Sequence, residues 1–347
     1  MNSRNRFFEQ SFAKVKRCDK MALFLTRKDV EACLTMDDTL EAVESAFKEH
    51  GQGTTIMPVR SSIRLEKVKG TTLFMPAYMG TMGAMGIKVV SVYPDNPSRY
   101  ARPTTLGVVL LTDPKDGELL AIIDGTFLTA MRTGAAGGVA AKYLARKDAK
   151  KVGILGAGVQ GRTQIIAASK VRRVEQVKAY DVARDRCELF CQQLSKELDI
   201  QITPVDSAEE AVRGSDIVIT TSTSKIPILN GDWLDEGTHV NAIGSHTPDT
   251  RELDAASIKR AKLVVDSREA ALKEAGDIMI PISQGLITPD QIHAELGEIV
   301  TNKRVGRTSD NEITIFKSLG LAIQDVSTAS KVYELALKCS VGTQIAI

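Results

Sequence analysis

Aromatic side chains are scarce in this sequence, with one tryptophan, six tyrosines and nine phenylalanines in 347 residues. Charge is nearly balanced, 45 lysines and arginines standing against 43 acids. With neither a basic stripe nor rings for stacking, nucleic-acid binding is set aside. No apolar run approaches the roughly eighteen residues that a membrane span requires, so a soluble protein is expected. The five cysteines, Cys18, Cys33, Cys187, Cys191 and Cys339, are odd in number and scattered, unlike a disulfide framework, and point to a reducing cytoplasm. Cys187 and Cys191 stand four apart on a predicted helix, but no histidine or second cysteine pair lies at zinc-ligand spacing, and no metal site is expected.

The opening "MNSRNRFFEQSFAKVKRCDK" carries six basic and two acidic residues without an apolar signal core, and reads as an extension over residues 1–20. From Met21 the pattern predicts a strand, then Thr26 as an N-cap. A helix over "MDDTLEAVESAFKEHG" follows, with Leu40, Val43 and Phe47 on one stripe and Gly51 as its stop. "RSSIRLE", "TTLFMPAYM", "GAMGIKVVSVY" and "TTLGVVLLTD" then suggest an antiparallel sheet with helices to one side. A Gly- and Ala-rich helix, "GTFLTAMRTGAAGGVAAKYLAR", lets other backbones or a ligand approach closely. After Lys150, strands at "KVGILGA", "QVKAYD", "ITPV", "DIVITTS", "HVNAIG" and "KLVVDS" alternate with helices, the pattern of a doubly wound parallel sheet. The closing "EITIFKSLGLAIQDVSTASKVYELALK" reads as a short strand and a long helix beyond what that sheet needs.

"VGILGAGVQGRTQ" places Gly156, Gly158 and Gly161 in GxGxxG spacing, with Val159 and Gln160 between them, where a buried strand meets a helix. Such a loop turns tightly, lets a pyrophosphate approach the backbone and offers it helix N-terminal amides. Asp181 closes the next strand, at about the distance expected of a carboxylate that takes ribose hydroxyls. A carboxylate there favours NAD over NADP, although Arg184 nearby blurs the preference. Thr220, Thr221 and Ser222 at the end of another strand are candidate cofactor contacts, or simple turn formers. Periodicity does not name the substrate, but a carboxylate would need cations. Arg60, Lys88 and Arg132 are the candidates, each equally readable as a structural cation. Lys88 lies in an otherwise apolar strand, where a buried amine is costly unless paired or deprotonated.

Together, "GIKVVSVYPDNP", "RTGAAGGVAAKYLAR", "GAGVQG", "VKAYDV", "NAIG" with "RELD", and "EITIFKSLGLAIQDV" resemble the ornithine cyclodeaminase and mu-crystallin family, in particular its archaeal alanine dehydrogenase branch. The resemblance implies an α/β protein: a Rossmann doubly wound sheet over 135–307, and an α+β substrate and dimerisation domain built from 21–134 and 308–347. It further implies an NAD(P)-dependent homodimer acting on small amino or imino acids. Arg60, Lys88 and Arg132 match substrate-site cations, and Thr104, Arg132 and Ser318 match cofactor contacts. His246 stands where the cyclodeaminase and alanine dehydrogenase branches carry an aspartate. The following "PDTREL" is similar to the ketimine-reducing mu-crystallin branch, and a loop histidine remains an acid or base near neutral pH. The implied function is reduction of a cyclic ketimine, or of pyruvate plus ammonia to alanine. Ornithine cyclodeamination and a non-catalytic crystallin-like binding protein are the alternatives.

Overall fold

The computed structural model describes residues 21–347, so the extension expected over residues 1–20 lies outside the described residues. The described chain opens with strand β1 (Met21–Leu25) and helices α1 (Arg27–Cys33) and α2 (Met36–Gln52). Thr26 and Thr35 cap these helices in reciprocal capping boxes with Asp29 and Asp38. Leu40, Val43 and Phe47 are buried as their stripe predicts. The helix runs past the expected stop at Gly51 and ends on Gly53, which takes the left-handed conformation at φ 79°.

Strands β2 (Thr55–Ile56), β3 (Ser61–Leu65), β4 (Gly70–Met79) and β5 (Ala84–Val92), helix α3 (Asn96–Tyr100), and strands β6 (Thr105–Thr112) and β7 (Leu119–Asp124) follow. Helix α4 (Gly125–Leu144) then leads into β8 (Lys151–Leu155), α5 (Val159–Val171), β9 (Gln176–Tyr180), α6 (Arg184–Leu198), β10 (Gln201–Pro204), α7 (Ala208–Val212), β11 (Ile217–Thr220) and β12 (His239–Ala242). The remaining elements are α8 (Ala255–Arg260), β13 (Ala261–Val265), α9 (Arg268–Glu274), α10 (Gly276–Ser283), β14 (Ile292–Glu295), α11 (Leu296–Val300), β15 (Ile313–Lys317), α12 (Ala322–Cys339) and β16 (Thr343–Ala346).

These strands form two sheets. The first runs β16-β1-β7-β6-β5-β4-β2, with β3 also on β4, and is antiparallel except where β1 meets β7. The second runs β10-β9-β8-β11-β12-β15-β13-β14 and is parallel throughout. This is the α/β architecture expected, with one correction. β15, expected to lie outside the parallel sheet, enters it between β12 and β13, because all five of its residues are buried and need cover on both faces. The division expected at 307/308 therefore falls ahead of a strand of the parallel sheet, and the chain turns back to the first sheet only after Lys317.

Helix α4 joins the sheets. A Cβ on Gly134 would stand 2.6 Å from the Thr163 carbonyl oxygen, and one on Gly137 2.0 Å from Gln164 Oε1. What these small residues admit is therefore the close approach of α5, the helix that starts at the glycine loop, by its backbone at Gly134 and by the Gln164 side chain at Gly137. Phe47 on α2 meets Phe316 on β15 edge to face, at 6.5 Å between centroids, so apolar packing also crosses from one sheet to the other.

Candidate functional site

The glycine loop leaves β8 at Gly156, whose φ of 117° is closed to ordinary side chains. A Cβ there would also strike Thr221 at 2.8 Å. Gly161 abuts the Gly156 carbonyl, which fixes α5 against the strand, whereas nothing lies within 4 Å of a Cβ built on Gly158. Gly158 caps α5 without a side-chain hydrogen bond, and Val159 beside it is 69% exposed. Gln160 Oε1 is buried without a partner. Free helix amides and the space above Gly158 fit a dinucleotide pyrophosphate.

Asp181 lies at the end of β9, beside this loop. Its carboxylate accepts from the Ala157 and Ala183 amides, each at 2.9 Å, and from Arg186 Nη2 at 2.6 and 2.8 Å. These donors hold its pKa below the usual carboxylate value against the effect of burial. Arg184 turns away to Glu188 and Asp206.

The strand-end hydroxyls divide. Thr220 is fully buried and donates to Glu252 Oε2 at 2.8 Å. Thr221 donates to the Gly156 carbonyl at 3.0 Å and holds the loop's turn. Ser222 Oγ accepts from the Ser224 amide. Glu252 also accepts the Ser222 and Gly244 amides at 2.6 and 2.7 Å, tying the ends of β11 and β12 together, and burial raises its pKa.

The three candidate cations converge from three elements. Lys88, in the middle of β5 and fully buried, donates to Asp325 Oδ1 at 2.7 Å. Arg132 on α4 reaches the same oxygen through Nε at 2.9 Å and Gln324 Oε1 through Nη1 at 2.8 Å. Asp325 Oδ2 and Gln324 Nε2 are buried without hydrogen-bond partners. Burial, reinforced by Arg132 and Arg60 against the pull of Asp325, lowers the Lys88 pKa to about 7. Gly320, at φ 81°, lets the chain pass Arg132, since a Cβ there would lie 2.5 Å from Nη1. Arg60, ahead of β3, is held by Glu274 of α9 and lines a cleft of about 60 Å³ with Met75, Ser267, Glu274, Gly320 and Leu321. The cleft thus draws on both sheets.

His246 follows β12. Its Nδ1 lies 3.1 Å from the Gly244 carbonyl, an acceptor, so Nδ1 carries the proton and Nε2 is the free acceptor. Desolvation by surrounding protein, followed by the cations of Lys317 and Arg60, lowers its pKa. Lys317 at the end of β15 is fully buried, donates to the Ser245 carbonyl at 2.5 Å and pairs with Asp277 at 2.8 Å. Ser318, expected at the cofactor, is 3% exposed and directed to Asp266 at 3.3 Å. Asp266 takes the Leu319 and Gly320 amides as well, so Ser318 belongs to the turn that carries the tail back. Thr104 sits ahead of β6, its carbonyl accepting from the Tyr93 amide.

Sequence reasoning missed Asp325, Glu252, Asp266, Asp277 and Lys317. The rule that singled out Lys88, a charge inside an apolar strand, applies equally to Lys317 in "ITIFKS". No group of three or more metal-ligating His, Cys, Asp or Glu side chains occurs among the described residues.

Residues 20–340 match the ornithine cyclodeaminase/mu-crystallin family. An alanine dehydrogenase of Archaeoglobus fulgidus is 42% identical over 93% of this chain and 98% of its own. The structure of a Thermococcus litoralis Delta(1)-pyrroline-2-carboxylate reductase, in complex with NADH and L-proline, superposes with a TM-score of 0.91 at 48% identity, covering 93% of this chain and all of that one. An archaeal alanine dehydrogenase dimer with bound NAD gives 0.89 at 41% identity, covering 94% and 99%. The chain belongs to the ornithine cyclodeaminase/mu-crystallin family.

Proposed function

We propose that this chain is an NAD(H)-dependent reductase of small imino acids, an oxidoreductase whose first substrate is the cyclic ketimine pyrroline-2-carboxylate. The observation that carries this reading is the convergence of Lys88, Arg132 and Arg60 beside the turn that leaves the nucleotide sheet. Those charges suit a compact substrate with a carboxylate next to a C=N bond, and the likeness to the pyrroline-2-carboxylate reductase bound to L-proline supports that size.

Bound NADH supplies the hydride. The rest of the chemistry falls to the chain. Arg132 and Arg60 grip the carboxylate through charge-assisted hydrogen bonds, the substrate displacing Glu274 from Arg60. Lys88, with its pKa near neutrality, holds a proton at Nζ for the imine nitrogen. His246, carrying its proton on Nδ1, offers Nε2 to the substrate as an acceptor.

The protein works as a homodimer in a reducing cytoplasm. The four described cysteines are unpaired. Along β4, β5 and β6, residues facing α12 are buried, while Phe74, Tyr78, Ile87, Val89, Val108 and Leu110 on the other face are only half-buried. A second copy would cover that apolar face, as suits a relative described as a dimer.

The test is a panel of pyrroline-2-carboxylate, piperideine-2-carboxylate, pyruvate plus ammonia, and ornithine, followed by both NADH absorbance and ammonia. Stoichiometric NADH loss with a cyclic ketimine is expected. Ammonia from ornithine without NADH accumulation would make the protein a cyclodeaminase. Tight NADH binding with no turnover would make it a binding protein.

A further inference from the structure

The adenosine side of the nucleotide loop has no acceptor to spare. A ribose diol donates two hydrogen bonds, and the strand-end carboxylate that receives them needs free lone pairs. A carboxylate offers about four acceptor positions. In Asp181, Oδ1 accepts from the Ala183 amide and Arg186 Nη2, and Oδ2 from the Ala157 amide and the same nitrogen, so four contacts are already made. Arg186 lies over the carboxylate from outside, its side chain 61% exposed against 6% for Asp181. The other nearby cation, Arg184, is committed to Glu188 and Asp206.

We propose that Arg186 sets nucleotide selectivity: paired with Asp181 through Nη2 it cancels the carboxylate's charge and presents its other N–H groups to a 2'-phosphate, and turned outward it frees Asp181 for the ribose hydroxyls, so the site admits NADPH alongside NADH. The reasoning is one of complementary demand. The 2'-hydroxyl of NADH asks for an acceptor and has to displace Arg186, whereas a 2'-phosphate asks for donors and meets a guanidinium that is already there. An unmasked Asp181 would repel that phosphate, and the pair carries no net charge. Because Arg186 moves on an exposed stem, either arrangement is open to it without a change in the fold.

This inference rests on the reading that the glycine loop holds a dinucleotide, and binding tests it without any appeal to turnover. NADH and NADPH are titrated by fluorescence, at low and high salt, into the wild-type protein, Arg186→Ala and Arg184→Ala. The wild type is expected to bind the two nucleotides within about tenfold of each other, with NADPH the more salt-sensitive. Arg186→Ala is expected to weaken NADPH by about tenfold or more, the scale of one lost hydrogen bond to a charged group, while NADH binding holds or tightens. Arg184→Ala is expected to leave the ratio unchanged. An unaltered ratio in Arg186→Ala, an equal effect of Arg184→Ala, or wild-type exclusion of NADPH beyond that range would each overturn the assignment. Failure of the wild type to bind either nucleotide would instead overturn the dinucleotide reading beneath it. Arg186 is exposed, so its replacement leaves the core intact.

Discussion

Lys88 shows how a single residue couples stability to chemistry. Its amine is fully buried and its pKa is lowered from 10.5 to about 7. In the unfolded chain the amine keeps its proton up to about pH 10.4. Below pH 7 both states are protonated, and above about 10.4 neither is. Between those limits the unfolded state binds the extra proton, so this residue makes stability rise with pH across that window. Lys88→Met is therefore expected to flatten the rise between pH 7 and 9 in urea unfolding, while turnover of the preferred imine falls by at least about a hundredfold, the scale of a lost acid-base group. A loss of activity accompanied by an unchanged slope would mean that Lys88 is already charged in the folded protein. Asp325 sharpens the contrast between sequence and structure at this scale. An aspartate in the first turn of a helix reads as an ordinary dipole partner, and only the fold brings β5 and α4 to the same carboxylate oxygen.

Among the elements, α4 sets local propensity against packing. Replacing Gly134 with alanine would gain about 1 kcal/mol of helix propensity in an isolated helix. Here the new Cβ would stand 2.6 Å from the Thr163 carbonyl oxygen, 2.7 Å from the Thr163 Cβ and 2.8 Å from its carbonyl carbon, and backbone cannot rotate out of the way. Gly134→Ala is expected to lower stability by about 1–3 kcal/mol, as overpacking does, measurable as a drop in Tm. A rise in Tm would show that α5 yields easily. The residues that such local rules describe were legible. The glycine loop, the buried stripe of α2 and most strands of both sheets follow from spacing alone. The unforeseen strands β2, β7, β14 and β16 are short or follow no alternation, and β15 was seen as a strand but assigned elsewhere. Its burial on both faces fits several positions, and only the assembled sheet selects one. At Thr220 and Ser318 the fold adds what spacing and resemblance did not show, since Glu252 and Asp266 engage their hydroxyls.

For the whole molecule, the first sheet has α12 on one face and a half-covered apolar surface on the other. Leu110→Glu, on that outer face, is expected to convert a dimer to a monomer by light scattering and to lower Tm. An unchanged mass would place the contact elsewhere. The order β12-β15-β13 has a consequence for the route to this structure. The chain completes β12 and β13 before β15, yet these strands do not pair with each other and leave a gap one strand wide for a segment that begins at Ile313. Until that segment arrives, two strand edges stand open to improper partners. The C-terminal stretch thus acts as a keystone: the parallel sheet closes through contacts distant in sequence, and slow folding is expected from the order of its strands.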